Sequence, residues 1–297
     1  MDHLFDDISR LVEANIMGKR EKLSIIIFSA FTLGAGFIGK AVDTVLTDQP
    51  EGQSLGMLIW LALPLVVSII IRLVNKGHYE PVGFRPNFGS NRAISNQVIY
   101  AIAVLIFPLI TAISIAVAYL FGTITFNGYD KTLIGAVIAG AVLKNLIEEI
   151  TWRGNMVPFF EKTGLNDFLF YLVTGLIWGC WHIPYYLFFL GAPDSQKTKL
   201  IVAGIIYMLL WTPLFTEVRR ITKSFWPAYF LHLTEEIVPM LLLVTVGVFT
   251  LEGTYDIFMN PINGIIPAVI ILATGLLLRK HRISKVGARP ITGSEHE

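Results

Sequence analysis

An all-α, polytopic membrane protein is the fold class this sequence predicts, and three observations carry it. Hydrophobic residues make up 54% of the chain and charged residues only 15%. Mean hydropathy is +0.63, a balance found in membrane proteins and not in soluble domains. Eight apolar runs recur, each near the length needed to cross roughly 30 Å of hydrocarbon. Lys and Arg then fall overwhelmingly on one side of the connections between those runs. Together these features predict about eight transmembrane helices with both termini cytoplasmic.

The elements follow in order. Residues 1–22 read as a cytoplasmic N-terminal arm, amphipathic or loosely ordered, ending in Lys19, Arg20 and Lys22. Asp2, Asp6, Asp7, Glu13 and Glu21 precede the first apolar run, which argues against a cleaved signal peptide. The predicted spans are 23–39, 55–73, 98–121, 133–147, 168–190, 200–215, 225–249 and 262–278. With the N-terminus inside, the cytoplasmic connections receive the clusters Lys19, Arg20 and Lys22, then Arg72 and Lys76, then Arg219, Arg220 and Lys223. Arg85, Arg92, Arg153 and Lys162 fall on the same side. The tail, 279–297, adds Arg279, Lys280, Arg282, Lys285 and Arg289, whereas the opposite side holds only Lys40, Lys131, Lys197 and Lys199. That asymmetry is what the positive-inside rule requires. No internal repeat or long linker divides the chain, so 23–278 reads as a single transmembrane domain.

Several function classes recede at this stage. The single cysteine, Cys180, excludes an intramolecular disulfide and a Cys-based zinc site. No basic patch with interleaved aromatics points to nucleic acid. A small-solute transporter with a Glu/His proton relay would be helped by inverted repeats or paired broken helices, and the sequence shows neither. The C-terminus carries no CaaX sequence, so the chain does not read as a prenylated substrate.

What remains is a set of ionisable residues where hydrocarbon makes them expensive. Glu148 and Glu149 close the apolar run of span four, with Lys144 one turn before Glu148 and Arg153 one turn after Glu149. Such spacing lets Glu149 pair with Arg153 and leaves Glu148 on a neighbouring face. Of six histidines, only His182 and His232 lie within spans; His3, His78, His281 and His296 fall in the arm, a loop and the tail. His232 and Glu236 are four apart, on one helical face, with Glu235 beside them. Each residue taken singly has a plain structural reading, such as a satisfied core histidine or Lys144 neutralising Glu148. Their conjunction on three spans is raw material for a metal site or a general-base site. Trp60, Trp211 and Trp226 are accounted for by interfacial belts and packing. Pro184, Pro213 and Pro239 are candidates to kink their spans.

The motifs Glu148-Glu149-x-x-x-Arg153, an aromatic four residues before His182, and a third motif opening at His232 resemble the CPBP family. That family comprises integral membrane type II CaaX prenyl proteases and bacteriocin-processing or bacteriocin-immunity relatives. The resemblance covers about 133–248. Two departures stand out: Trp178 where the family usually has Phe, and Glu236 where it has Asn or Asp. The resemblance implies an intramembrane endopeptidase in the cell membrane, with a cytoplasmic-facing site and a membrane-associated protein or peptide as substrate. Glu148 would activate a water and His182 assist. His232 and Glu236 would stabilise the oxyanion or, with His182, hold a divalent metal such as zinc. Glu149 and Arg153 would support the site. An ionised Glu236 would repel an oxyanion, so it must be protonated or meet a cation. The alternative is a non-catalytic membrane scaffold or immunity protein of the same fold.

Overall fold

The computed structural model describes residues 18–46, 54–89 and 94–286. The predicted arm before Gly18 and the tail after Val286, with His3, Arg289 and His296, lie outside the described residues, as does Arg92. The helices are α1 (Lys19–Val45), α2 (Leu55–Val74), α3 (Asn96–Leu120), α4 (Lys131–Thr151), α5 (Val157–Glu161), α6 (Asp167–Trp181), α7 (Asp194–Thr222), α8 (Trp226–Glu235), α9 (Gly253–Met259) and α10 (Ile265–Val286). Three π-helical segments, Trp152–Met156, Tyr185–Phe189 and Glu236–Thr245, continue α4, α6 and α8. Small polar residues start several helices by accepting a bond from an otherwise orphaned backbone N–H. Ser54 caps α2, Ser95 caps α3, Asp130 caps α4 and Asn166 caps α6.

Among the described residues, six helical stretches are long and apolar enough to cross a membrane: Lys19–Val45, Leu55–Val74, Asn96–Leu120, Asp167–Phe189, Asp194–Thr222 and Trp226–Thr245. The other two predicted spans coincide with α4 and α10, helices of 21 and 22 residues. Both carry several charges, α4 at Lys131, Lys144, Glu148 and Glu149, and α10 at Arg279, Lys280, Arg282 and Lys285. Large apolar side chains such as Leu58, Ile70, Leu109 and Ile113 face outward, while Glu148, Glu149, Arg153, Glu217, Arg219, His232 and Glu235 are buried. Polar groups inside and apolar groups outside is the pattern a bilayer imposes. The chain is an integral membrane protein.

The fourth span differs from expectation. The reading 133–147 ends it before Glu148 and puts Arg153 in a cytoplasmic connection. Instead α4, the π-segment Trp152–Met156 and α5 follow one another without a break to Glu161. Glu148 therefore sits well inside the run, and Arg153 is buried. The reason is local: Val157, Pro158, Phe159 and Phe160 bury their side chains and extend the apolar stretch. Pro158 lacks a donor, so the Gly154 carbonyl four residues before it accepts from Arg72 instead, at 2.8 Å. Of the three prolines singled out, Pro184 immediately precedes a π-segment and Pro239 lies within one, whereas Pro213 sits inside the continuous α7.

Close helix packing holds the bundle. A Cβ on Gly39 would lie 2.2 Å from the carbonyl oxygen of Gly56, and one on Gly56 would lie 2.3 Å from that of Gly39. The α1–α2 pair thus meets backbone to backbone, the approach that small residues permit in membranes. Trp60 of α2 and Trp181 of α6 stack at 4.1 Å, and each indole N–H donates to the other's backbone carbonyl, at 2.8 and 3.2 Å. Trp60 is therefore core packing and not belt. At one face of the bundle, β1 (Ile124–Phe126) pairs antiparallel with β2 (Phe249–Leu251). At the other, loop 75–89 meets the α7–α8 turn: Trp226 donates to Phe84 O at 2.7 Å, and Lys223 pairs with Glu80 at 3.0 Å.

Candidate active site

Glu149 is the buried centre of the supporting structure. Its Oε1 accepts from Arg153 Nη1 at 3.0 Å, as the four-residue spacing predicts, and from His232 Nδ1 at 2.9 Å. The Arg153 guanidinium lies between two aromatic faces, 4.0 Å from Trp178 and 4.4 Å from Phe215. Desolvating a guanidinium is costly, and a carboxylate with two π faces offsets that cost. The wide turn after Thr151 carries Arg153 to this position and leaves backbone carbonyls to be satisfied from outside the helix. Arg219 Nε donates to Arg153 O at 2.9 Å, and Arg72 Nη2 to Gly154 O at 2.8 Å. Arg72 also donates to the Asn155 side chain, whose own amide reaches Ile150 O at 2.8 Å.

Glu148 faces elsewhere. Its side chain is 2% exposed. It accepts from Trp152 Nε1 at 3.3 Å, and its other oxygen lies 3.9 Å from Lys144 Nζ. His232, Lys144 and His182 all lie within coulombic range of it, so residues from α4, α8 and the end of α6 converge here. His182 Nδ1 lies 2.9 Å from Trp178 O. A carbonyl can only accept, so Nδ1 carries the hydrogen, and Nε2 of the neutral ring is left bare. Trp178 thus holds Arg153 with its ring and His182 with its backbone. Any flat aromatic serves that ring's role, which accounts for Trp standing where the family has Phe.

The third cluster sits beside the first two. Ligating atoms of His232, Glu235 and Glu236 lie within 4.8 Å of one another. His182 is not in that group, which shares His232 and Glu236 with the expected set His182, His232 and Glu236 and has Glu235 as its third member. Such donors suit a divalent cation in kind. The fit fails at Glu236, because Lys144 Nζ is already hydrogen-bonded to Glu236 Oε1 in a close ion pair. The cation that Glu236 needs is supplied by α4.

Sequence reasoning missed several residues. Arg72 and Arg219 entered only as orientation markers, and Asn155 drew no attention. Asn145 is fully buried one turn before Glu149, and neither polar atom of its side chain has a partner among the described residues. Glu217 lies two residues past the expected end of span six, yet it is fully buried in α7. It accepts from Tyr171 Oη at 2.5 Å, Arg220 at 3.3 Å and Arg282 at 2.6 Å. Asp167 joins this network by accepting from Arg220, Arg279 and Arg282 at 2.7–2.9 Å.

Comparison with known proteins gives one family. Residues 130–238 match the Rce1-like family, described as type II CAAX prenyl endopeptidase Rce1-like. This lies in the CPBP family that the three motifs resemble, and the matched region contains Glu148, Glu149, Arg153, His182, His232 and Glu236. No curated protein matches the chain.

Proposed function

We propose that this chain is a CaaX-protease-like intramembrane endopeptidase that hydrolyses a peptide bond of a membrane-associated protein or peptide. The observation that carries this reading is Glu148, a buried carboxylate within coulombic range of histidines from two other helical runs, inside the matched region. Glu148 takes a proton from water, and the resulting hydroxide attacks the scissile carbonyl carbon. His182, bare at Nε2, accepts the water's second hydrogen and orients it. His232 donates from Nε2 to the tetrahedral oxyanion, while the Glu149 carboxylate at Nδ1 balances the imidazolium charge. As the C–N bond breaks, Glu148 returns its proton to the leaving amine. Arg153 holds Glu149 in place. No step requires a metal, and none is assigned to His182, His232 or Glu236.

The topology belongs to the same proposal: eight spans, both termini cytoplasmic, the cell membrane as location and an active site opening to the cytoplasm. It is supported by eight helical stretches among the described residues, six of them long and apolar enough to cross a membrane, and by the Lys and Arg clusters at the face that holds loop 75–89 and the α7–α8 turn. Residue-specific labelling in sealed cells should find Lys197 and Lys199 accessible from outside. Finding them accessible only from inside reverses the orientation.

Glu148→Gln is the decisive substitution. Gln keeps the shape and cannot accept a proton, so cleavage of a membrane-anchored peptide should fall by roughly 10²–10⁴-fold while folded yield is preserved. His182→Ala should lose about as much, and the double variant little more, because residues of one catalytic unit are not additive. The Glu236 departure favours a second reading, the non-catalytic scaffold. Full biological function with Glu148→Gln, His182→Ala and His232→Ala combined would establish that reading instead.

A further inference from the structure

The Lys144–Glu236 pair joins two helices at the edge of the candidate site. Lys144 stands one turn before Glu148 on α4, and Glu236 opens the π-segment after α8. Its ammonium binds Glu236 and lies 3.9 Å from Glu148 Oε1, so one cation serves two carboxylates. Around it are Glu235, buried, and His232, whose Nδ1 is held by Glu149. Three carboxylates and an imidazole gathered in a low-dielectric interior need a positive charge to be stable together.

We infer that Lys144 is the built-in cation of the His232–Glu235–Glu236 cluster, a positioning residue that holds Glu236 and occupies the place a divalent metal would take. This rests on the proposed proteolytic reading only for its kinetic part. The physical reason is charge and space. An ammonium on Glu236 Oε1 competes for the oxygen that a metal would need, and a tethered cation has no concentration to lose. Its three donors also suit more than one carboxylate, where a planar guanidinium would demand one fixed geometry. Pairing draws the Glu236 charge away from where an oxyanion forms. Where the family has Asn or Asp, this chain thereby carries a carboxylate neutralised by an ammonium.

The test uses the full chain purified in detergent, in four forms: the unaltered chain, Lys144→Met, Glu236→Gln and both together. Each is measured for Tm with and without excess Zn²⁺, and for kcat and KM on a membrane-anchored peptide. Lys144→Met should lower Tm and cut kcat by about tenfold or more with little change in KM. Adding Glu236→Gln should restore much of both losses. Zn²⁺ should raise Tm of Lys144→Met, where Glu236 is freed to act with His232 and Glu235, and leave the unaltered chain unmoved. If Lys144→Met yields no folded protein, the double variant must fold. The inference is overturned by a Tm rise of the unaltered chain with Zn²⁺, by losses from the two substitutions that simply add, or by failure of the double variant to fold. If no form cleaves the peptide, the proteolytic reading falls, and the Tm arms still decide the role of Lys144. If Tm is rescued and kcat is not, the pair is structural only and the positioning role is lost.

Discussion

Arg153 shows how much one side chain has to satisfy in this interior. It neutralises Glu149, which in turn fixes His232 Nδ1, and it fills the gap between Trp178 and Phe215. Arg153→Ala leaves Glu149 buried and uncompensated, a loss of about 3–5 kcal/mol for a broken buried pair. Folded yield should collapse, and Glu149→Gln in the same chain should recover part of it, as read by size-exclusion profiles in detergent. Trp178→Phe should be tolerated because a π face remains over the guanidinium, whereas Trp178→Ala should cost about 3–5 kcal/mol. Equal behaviour of Phe and Ala at 178 would remove the stacking argument. The pairing of Glu149 with Arg153 was legible because both lie on one helix, four residues apart. The pairing of Lys144 with Glu236 was not, because 92 residues separate them and no local spacing encodes which helices meet. The sequence therefore posed the question of the Glu236 charge without containing its answer.

At the scale of elements, each candidate motif is followed by a π-helical segment. One begins three residues after Glu149, another three after His182, and the third at Glu236 itself. A π-turn widens the helix and shifts the hydrogen-bond register by one residue, a device common at functional sites. It re-aims Arg153 and frees carbonyls that α-helical geometry would have paired. Hydropathy patterns cannot reveal it, since one wide turn is too short to change an apolar period, and the charges of Glu148 and Glu149 end the apolar run at 147 before the turn is reached. Arg219 repairs the consequence with two bonds from one fork, to Arg153 O and to Pro81 O at 2.7 Å. Lysine cannot reproduce that fork. Arg219→Lys should lower stability by about 1–3 kcal/mol, the cost of a buried acceptor left unmet. If the π-segment positions the site, kcat should drop more than KM in the same variant. A proportional loss of folded protein with unchanged kcat would confine Arg219 to stability.

For the whole molecule, the apolar runs were legible because apolar length is written in the sequence itself; each of the eight overlaps a helical stretch among the described residues, and six of those stretches are long and apolar enough to cross a membrane. The two helices that fall short in apolar character, α4 and α10, do so for physical reasons seen only in the assembled bundle. Lys144, Glu148 and Glu149 of α4 build the candidate site, and Arg279 and Arg282 of α10 grip the rest of the protein. Arg279 and Arg282 of α10 reach Asp167 of α6, and Arg282 also reaches Glu217 of α7, which Tyr171 and Arg220 hold from the other side. Because Glu217 is fully buried, this network is shielded from the screening that weakens surface pairs. Glu217→Ala alone leaves both Arg220 and Arg282 on Asp167 and strands chiefly the Tyr171 hydroxyl. It should therefore cost only about 1–3 kcal/mol. Removing Asp167 as well takes away the remaining carboxylate of Arg279 and Arg282 and leaves Arg220 only Glu161, so Glu217→Ala with Asp167→Ala should destabilise more than the sum of the single changes. Limited proteolysis within 279–286, compared at one temperature, reads whether α10 has let go. Additive effects on Tm with no new cleavage would mean that α10 is held by its apolar face alone, through contacts such as that of Gly275 against the Leu214 backbone.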